Sequence, residues 1–145
     1  MKRALDTLTG DLFEAPMPAA ALPGALDYGL AVRRLLAEAI KASEHNTAQI
    51  AARMAELIGH PVSEHQLHAW TAPSRDGWRF PLEYLPAFET AAETHAITAW
   101  LAATRGGRLL VGREALNAEL GRLERLRDEA GRKIRQLKTV MGEGE

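Results

Sequence analysis

The chain contains no cysteine among its 145 residues. Disulfide bonds, thiolate metal sites and cysteine nucleophiles are therefore excluded, and the composition is compatible with a reducing compartment. Serine occurs only at positions 43, 63 and 74, and the sequence has no glycine-rich phosphate loop, nucleophile elbow or paired-carboxylate signature. Because no catalytic constellation is visible, we expect a protein that is not an enzyme and that needs no cofactor.

Long apolar runs are absent too. No run approaches the roughly 18 apolar residues needed to cross a bilayer. The apolar residues that follow Lys2 and Arg3 are interrupted by polar residues between Asp6 and Asp11, so no secretory signal is expected. These two features predict a soluble, cytoplasmic protein with no membrane partner.

An excess of positive charge is also missing, since the formal net charge is −1. Residues 1–29 carry two basic and four acidic side chains, residues 30–108 carry eight of each, and residues 109–145 carry eight basic and seven acidic ones. Nucleic-acid-binding proteins usually have a basic surface, because phosphate neutralisation supplies most of their sequence-independent affinity. DNA binding by this chain therefore requires its few arginines to cluster in space.

Length and a hydrophobic content of 46% predict one core of ordinary size with appendages. Residues 1–29 include Pro16, Pro18, Pro23 and Gly24 without sustained periodicity, and they are predicted to form a flexible N-terminal arm. The one apolar cluster of this arm, residues 8–13, is either a docking peptide for a protein partner or a segment that lies across the core of this protein.

Residues 30–108 are predicted to form an all-α domain of five short helices. The first helix is predicted from an N-cap at Asp27 to about Ser43, along an apolar stripe of residues three and four apart. The second is predicted to begin at Asn46 or Thr47 and to end at Gly59.

A third, shorter helix is predicted from a capping box. After an extended turn at Pro61, Ser63 and Gln66 form the S-x-x-Q pattern in which each side chain bonds to the backbone N–H of the other residue. The helix is predicted to run to about Trp70 and to bury Leu67 and Trp70 on one side.

A polar loop with aromatic anchors is predicted over residues 71–80. The fourth helix is expected to start between Pro81 and Pro86, and the fifth is expected to end at Gly106 and Gly107. No segment between residues 30 and 105 alternates as a strand does.

Residues 109–145 have a different pattern, typical of a coiled coil. Apolar residues recur in alternating steps of four and three, which are the a and d positions of a heptad repeat, provided that Arg127 takes one a position. The predicted seam is Leu116, Leu120, Leu123, Arg127, Ala130, Ile134, Leu137 and Met141. Because an isolated helix is marginal in water, we expect self-association into a dimer or a higher oligomer; the alternative is that the helix folds back on the domain.

Three histidines lie in the predicted turn and third helix, at positions 60, 65 and 68. His65 and His68 are three residues apart and could share a helix face, with His60 or Glu64 as a third zinc ligand. The spacing matches no closed zinc site, however, and solvated histidines explain it equally well, so no metal is predicted.

The same stretch also matches the chemistry of base recognition. With Leu67 and Trp70 buried, the residues predicted to face outward are Glu64, His65, Gln66, His68 and Ala69, which follow the N-cap Ser63. Glutamine pairs with adenine, glutamate accepts from cytosine, histidine donates to guanine, and alanine touches a thymine methyl group. The residues predicted to hold phosphates are Gln49, Arg53, Arg75 and Arg79. An ordinary solvated face is the alternative interpretation.

Residues 30–104 resemble the phage-repressor-type (lambda repressor and Cro-like) helix-turn-helix domain. The resemblance rests on TAQIAARMA at 47–55 for the second helix, VSEHQLHAW at 62–70 for the recognition helix, and Pro81, Leu85, Phe88 and Ala92 around the fourth. It implies operator binding by paired domains. Nearly the whole chain also resembles small proteins of Mu-like phages and prophages, through LF at 12–13, AARM at 51–54, WTAPSR at 70–75, FP at 80–81 and ELGRLE at 119–124.

The sequence thus predicts a phage or prophage DNA-binding protein, a transcriptional regulator or accessory factor, with double-stranded DNA and a second copy of itself as partners. The alternative is an oligomeric helical adaptor whose domain and arm bind proteins rather than DNA.

Overall fold

The computed structural model describes residues 16–142. This part of the chain is all-α and contains no strand. Its helices are α1 (Gly29–Ala42), α2 (Thr47–Ile58), α3 (Glu64–Thr71), α4 (Leu85–Ala92), α5 (Ala96–Thr104) and α6 (Arg113–Val140), with one 3₁₀ turn over Leu82–Tyr84 before α4. The chain divides into two compact units, one ending at Leu109 and the other beginning at Leu110.

Helices α1 to α5 bury one hydrophobic core. Helix α2 packs against α3 and α4, and α1 packs against α3 and α5. The largest side chains that lose all contact with solvent are Phe88, Leu36, Ile50, Met54 and Leu67. They come from four different helices, so the core holds all four in place at once.

The predicted bounds of α1 and α2 agree with the structure except at the start of α1. Helix α1 begins at Gly29 with Tyr28 as its N-cap, not at Asp27, although the Asp27 carboxylate accepts a hydrogen bond of 3.2 Å from the Gly29 N–H. Helix α2 begins after Asn46, which forms a capping box with Gln49, and it ends at Gly59 in the left-handed conformation with φ 85°.

Helix α5 begins on a buried carboxylate that the sequence patterns do not reveal. Glu89, from α4, is 7% exposed. One of its oxygens accepts hydrogen bonds of 2.9 Å from the N–H groups of both Ile97 and Thr98, and the other accepts one of 2.5 Å from the Thr98 hydroxyl. Glu89 therefore supplies, from a neighbouring helix, the acceptor that the first turn of α5 needs and that its own N-cap, His95, does not provide.

We predict that Glu89→Gln lowers the free energy of unfolding by about 2 kcal/mol, because an amide cannot replace a carboxylate that accepts bonds at both oxygens. Urea denaturation followed by tryptophan fluorescence measures this change. The control is Glu83→Gln, an exposed residue of the 3₁₀ turn, for which we expect a change within about 0.5 kcal/mol. Equal effects of the two substitutions would show that the buried bonds contribute nothing.

Part of the predicted flexible arm is anchored to the domain. The Ala19 N–H donates a 3.0 Å hydrogen bond to the carbonyl of Thr104, at the end of α5. Gly106 has φ +76°, and a Cβ there would lie 3.0 Å from Pro18 Cδ and 3.2 Å from the Pro16 carbonyl oxygen. The arm thus packs closely against a glycine that no other residue can replace without strain. The apolar cluster at residues 8–13 lies outside the described residues.

We predict that Gly106→Ala costs about 2 kcal/mol of stability, from the left-handed backbone and from the displaced proline segment together. Gly59→Ala is the control, since Gly59 has a similar φ of +85° but nothing within 4 Å of a Cβ; it should cost about 1 kcal/mol, from backbone strain alone. Chemical denaturation of both variants separates the two contributions. Identical losses would mean that the arm does not press on Gly106.

The second unit is dominated by α6, a single helix of 28 residues. The predicted helix beyond Gly112 is confirmed, since Gly112 has φ 60° and α6 follows it directly. None of its residues is buried within this chain, and large apolar side chains such as Leu116, Leu137 and Val140 are more than half exposed. No helix among residues 16–142 is both long enough and apolar enough to traverse a lipid bilayer.

Candidate nucleic-acid interface

The start of α3 is built by the capping box predicted from the sequence. The Ser63 hydroxyl accepts a 3.1 Å bond from the Gln66 N–H, and the Gln66 side-chain carbonyl accepts a 2.9 Å bond from the Ser63 N–H. This reciprocal pair satisfies two backbone donors and sets the direction in which α3 leaves the turn. The Gln66 oxygen also accepts a 3.3 Å bond from the Ser63 hydroxyl, so both of its lone pairs are used and its amide NH₂ is the group left for further contacts.

The inner side of α3 is held by two large side chains. Leu67 is 0% and Trp70 is 5% exposed. The indole of Trp70 meets Phe80 edge-on at 5.4 Å and Tyr84 at 6.0 Å between ring centroids. Burying two such residues contributes about 2 to 3 kcal/mol each, which is large for a helix of only eight residues.

Ala69 does not belong to the exposed face. The prediction that it points outward is wrong, because it is 1% exposed and lies among the buried residues of the domain. An eight-residue helix that is covered on two sides turns more of its surface inward than a helix packed along one stripe, and Ala69, next to Trp70, falls inside that wider contact.

The outer side of α3 carries three exposed polar residues, Glu64, His65 and His68. Glu64 Oε1 lies 3.4 Å from His68 Nε2, one helical turn away. The ring of His65 stands edge-on to Trp78 with the centroids 6.5 Å apart. We call these three residues the α3 face; it offers one carboxylate and two imidazoles, and no arginine or lysine.

The loop after α3 is fixed by a buried arginine of α1. Arg33 is 7% exposed; its Nη1 donates 3.0 Å to Asp76 Oδ1, and its Nη2 donates to the carbonyl oxygens of Arg75, at 3.2 Å, and Asp76, at 3.0 Å. The forked guanidinium thus holds two consecutive residues of the loop at once. Arg33 is not among the predicted site residues, because the loop residues that it holds lie about 42 positions further along the chain.

The residues predicted to hold phosphates differ in whether their side chains already have a partner on their own helix. Gln49 uses its side-chain carbonyl in the capping box at the start of α2. Arg53 forms a 2.7 Å ion pair with Glu56 on the same helix. Arg75 and Arg79 are exposed in the loop after α3. Two of the four predicted cationic or amide groups are therefore already engaged with their own helix, and the loop carries the other two.

The histidines do not converge on a metal site. His60 Nε2 lies 3.3 Å from the Tyr84 hydroxyl, while His65 and His68 make the separate contacts given above. Among residues 16–142, no group of three potential ligands of the histidine, cysteine or acidic type is placed to bind a metal ion. The zinc interpretation therefore gains no third ligand from the structure.

Comparisons with protein-family models, with curated proteins and with solved structures give no match for this chain.

We predict that Arg33→Lys releases the loop after α3, because an ammonium group cannot make the forked contact with Arg75 and Asp76. Limited trypsin digestion measures this directly, since Arg75 and Arg79 are themselves cleavage sites within the loop. Cleavage there should accelerate several-fold. Arg34→Lys, at the exposed neighbouring position, is the control, and equal cleavage rates in both variants would contradict the role given to Arg33.

Proposed function

We propose that this protein is a sequence-specific double-stranded DNA-binding protein of phage or prophage origin, a transcriptional regulator or accessory factor. Helices α2 and α3 with the turn between them act as a helix-turn-helix, and the α3 face enters the major groove. One observation carries the proposal: a short helix is capped at its start, is held from behind by Leu67 and Trp70, and leaves Glu64, His65 and His68 free to meet a partner.

The chemistry of the α3 face suits base edges. Imidazole N–H groups can donate to guanine, and the Glu64 carboxylate can accept from the amino group of cytosine. The capping box and the core change the other two assignments, those of Gln66 and Ala69. Gln66 can pair with adenine through both its amide atoms only after its oxygen leaves the Ser63 N–H, and the buried Ala69 is withdrawn as a contact to thymine.

The loop after α3 supplies the phosphate contacts in this proposal. Arg75 and Arg79 are exposed there, on a backbone that Arg33 holds at Arg75 and Asp76. A positive side chain on a fixed backbone loses less entropy on binding than one on a mobile loop. Arg53 joins them if it exchanges Glu56 for a phosphate, which is easy for an exposed ion pair.

A single domain with so few free positive charges would bind DNA weakly. We propose that α6 compensates by pairing two chains as a coiled coil, since joining two binding units raises the effective concentration of the second. The exposure of the apolar side chains of α6 within one chain supports this pairing.

The resemblance to the phage-repressor-type domain is the reason for naming a regulator or accessory factor. The succession of α1 to α5 agrees with the five helices that the resemblance implies. The connection between α2 and α3 departs from it, because residues 59–63 form five non-helical positions, where the motif usually has three or four.

An oligomeric adaptor that binds proteins is the second candidate function. The observation that favours it is the composition of the α3 face, which has a carboxylate and no arginine or lysine and therefore no built-in attraction for a polyanion.

We predict that the full chain binds a labelled duplex from the DNA flanking its own gene, measured by fluorescence anisotropy at several salt concentrations. Arg75→Ala and Arg79→Ala should each weaken binding to all sequences and lower the salt dependence by about one phosphate contact. His68→Ala should instead reduce discrimination between the preferred and altered duplexes, by about 1 to 3 kcal/mol.

Two substitutions control for the loss of the same side chain elsewhere in the domain. Arg108→Ala removes an arginine beyond the end of α5, and His95→Ala removes an exposed histidine at its start. Both should leave affinity and discrimination unchanged. If the full chain fails to bind any duplex even at low ionic strength, the DNA proposal is wrong and the adaptor is the better candidate.

A further inference from the structure

The apolar side chains that form the seam of helix α6 are exposed. Its 28 residues give a helix about 42 Å long at 1.5 Å per residue. The larger seam residues Leu116, Leu120, Leu123, Ile134 and Leu137 are all about half exposed or more. A helix that is apolar on one side and charged on the others needs a partner to bury its apolar side. The charges beside the seam indicate which partner it binds and in which direction the partner helix runs.

The charges beside the seam divide by sign along the helix. The flanking e and g positions carry Glu119 and Glu124 in the first half of α6 and Lys133 and Lys138 in the second half. Glu119 and Lys133 are both at g positions, and Glu124 and Lys138 are both at e positions. The acidic and basic halves therefore lie on the same two edges of the seam.

A parallel, in-register pair of α6 helices would place like charges together. In that arrangement each g side chain reaches the e side chain five residues later on the other helix. Glu119 would meet Glu124 of the second copy, and Lys133 would meet Lys138 of the second copy. Symmetry doubles both contacts, so all four charged flanking pairs would repel, and the two Arg127 side chains would face each other in one a layer.

An antiparallel pair places opposite charges together. There g positions face g positions and e positions face e positions, again reaching across two layers of the seam. With Leu120 packed opposite Leu137 of the second copy, Glu119 meets Lys133 and Glu124 meets Lys138. All four charged flanking pairs are then attractive. The seam layers in this register are Leu116 with Met141, Leu120 with Leu137, Leu123 with Ile134, and Arg127 with Ala130.

We propose that α6 binds a second copy of this chain as an antiparallel coiled coil, in the register that packs Leu120 opposite Leu137. This inference rests on the self-association proposed above and adds its direction and register.

The middle of the helix supports the same register. Arg127 lies opposite the small Ala130 rather than opposite itself, so each long side chain has room to extend over a methyl group and keep its guanidinium in water. Leu126, which is 48% exposed beside the seam, meets Leu126 of the second copy at the centre. Leu126 lies between Glu119 and Lys133 on this edge, and the contact with itself explains an apolar residue between two charged ones.

The existing ion pair on α6 does not oppose this arrangement. The Glu119 carboxylate accepts hydrogen bonds of 2.6 and 2.8 Å from Arg122, which lowers the pKa of Glu119 below its ordinary value. Glu119 therefore remains ionised, and a carboxylate with two oxygens can keep Arg122 on its own helix and still meet a lysine of the second copy.

Disulfide cross-linking tests the direction, because the chain has no cysteine of its own. Leu120→Cys and Leu137→Cys are prepared separately in full-length chains that carry tags of different length, mixed, and oxidised in a glutathione buffer. Antiparallel pairing predicts that the mixed cross-link, which joins one variant to the other, exceeds either homotypic cross-link by at least about tenfold, because only the mixed pair shares a layer. Sedimentation of the unmodified chain measures whether it associates at all.

A charge exchange on the same background tests the cause. Glu124→Lys combined with Lys133→Glu leaves net charge and composition unchanged but makes the parallel flanking pairs attractive and the antiparallel ones repulsive. The homotypic cross-link should then rise several-fold at the expense of the mixed one. The control is Glu129→Arg combined with Arg132→Glu, which exchanges charges on the outer side of α6 and should leave the pattern as it was.

The outcomes are distinguishable. A monomer in sedimentation removes both the self-association and the antiparallel pair. A dimer with mainly homotypic cross-links, or with no mixed cross-link, keeps the self-association and overturns the direction or register. Predominantly mixed cross-links that the outer charge exchange leaves intact support the proposal.

Discussion

The burial of Trp70 and Leu67 is the constraint on which the candidate site depends. Helix α3 has only eight residues, too few to persist in water without tertiary contacts. Its indole packs edge-on against Phe80 and Tyr84, which lie on the far side of the loop and in the 3₁₀ turn before α4. These aromatic contacts therefore hold both the helix and the loop that follows it. Phe80 also packs against Phe88, which lies in the hydrophobic core, so the loop is joined to the core.

Two buried charged residues add hydrogen bonds that fix the start of α5 and the loop after α3. Glu89 organises the first turn of α5, and Arg33 holds the loop at Arg75 and Asp76. Asp76 is 93% exposed, so the ion pair itself is screened by water, and the two bonds from Arg33 to backbone carbonyls carry more of the contact. In both cases a charged side chain bonds to backbone groups, which are two N–H groups for Glu89 and two carbonyls for Arg33.

Local patterns explain which features could be predicted from the sequence. The capping box of Ser63 and Gln66, the glycine end of α2 and the extent of α3 depend on residues within four positions of one another, and the sequence patterns for them are specific. The capping box of Asn46 and Gln49 is equally local but is not among the predictions, which assign Gln49 to a phosphate. The roles of Glu89 and Arg33 were not predicted because their hydrogen-bond partners are distant along the chain. The partners of Glu89 lie eight or more residues away, and those of Arg33 lie about 42 residues away. Ala69 was misplaced because periodicity cannot tell how wide a contact a short helix makes with its neighbours.

In the proposed α6 pair, the direction of the helices decides how far apart the attachment points of the two proposed DNA-binding domains lie. In a parallel pair the two Leu116 residues would be about 10 Å apart, the distance between packed helices. In the antiparallel register each Leu116 lies opposite Met141 of the other copy, 25 residues along the helix, so the two attachment points are separated by about 37 Å. Successive major-groove half-sites on one face of DNA are about 34 Å apart. The attachment points in the proposed antiparallel pair are therefore about as far apart as these half-sites, and under the proposed function such a separation is the condition for joining two weakly binding domains to raise affinity.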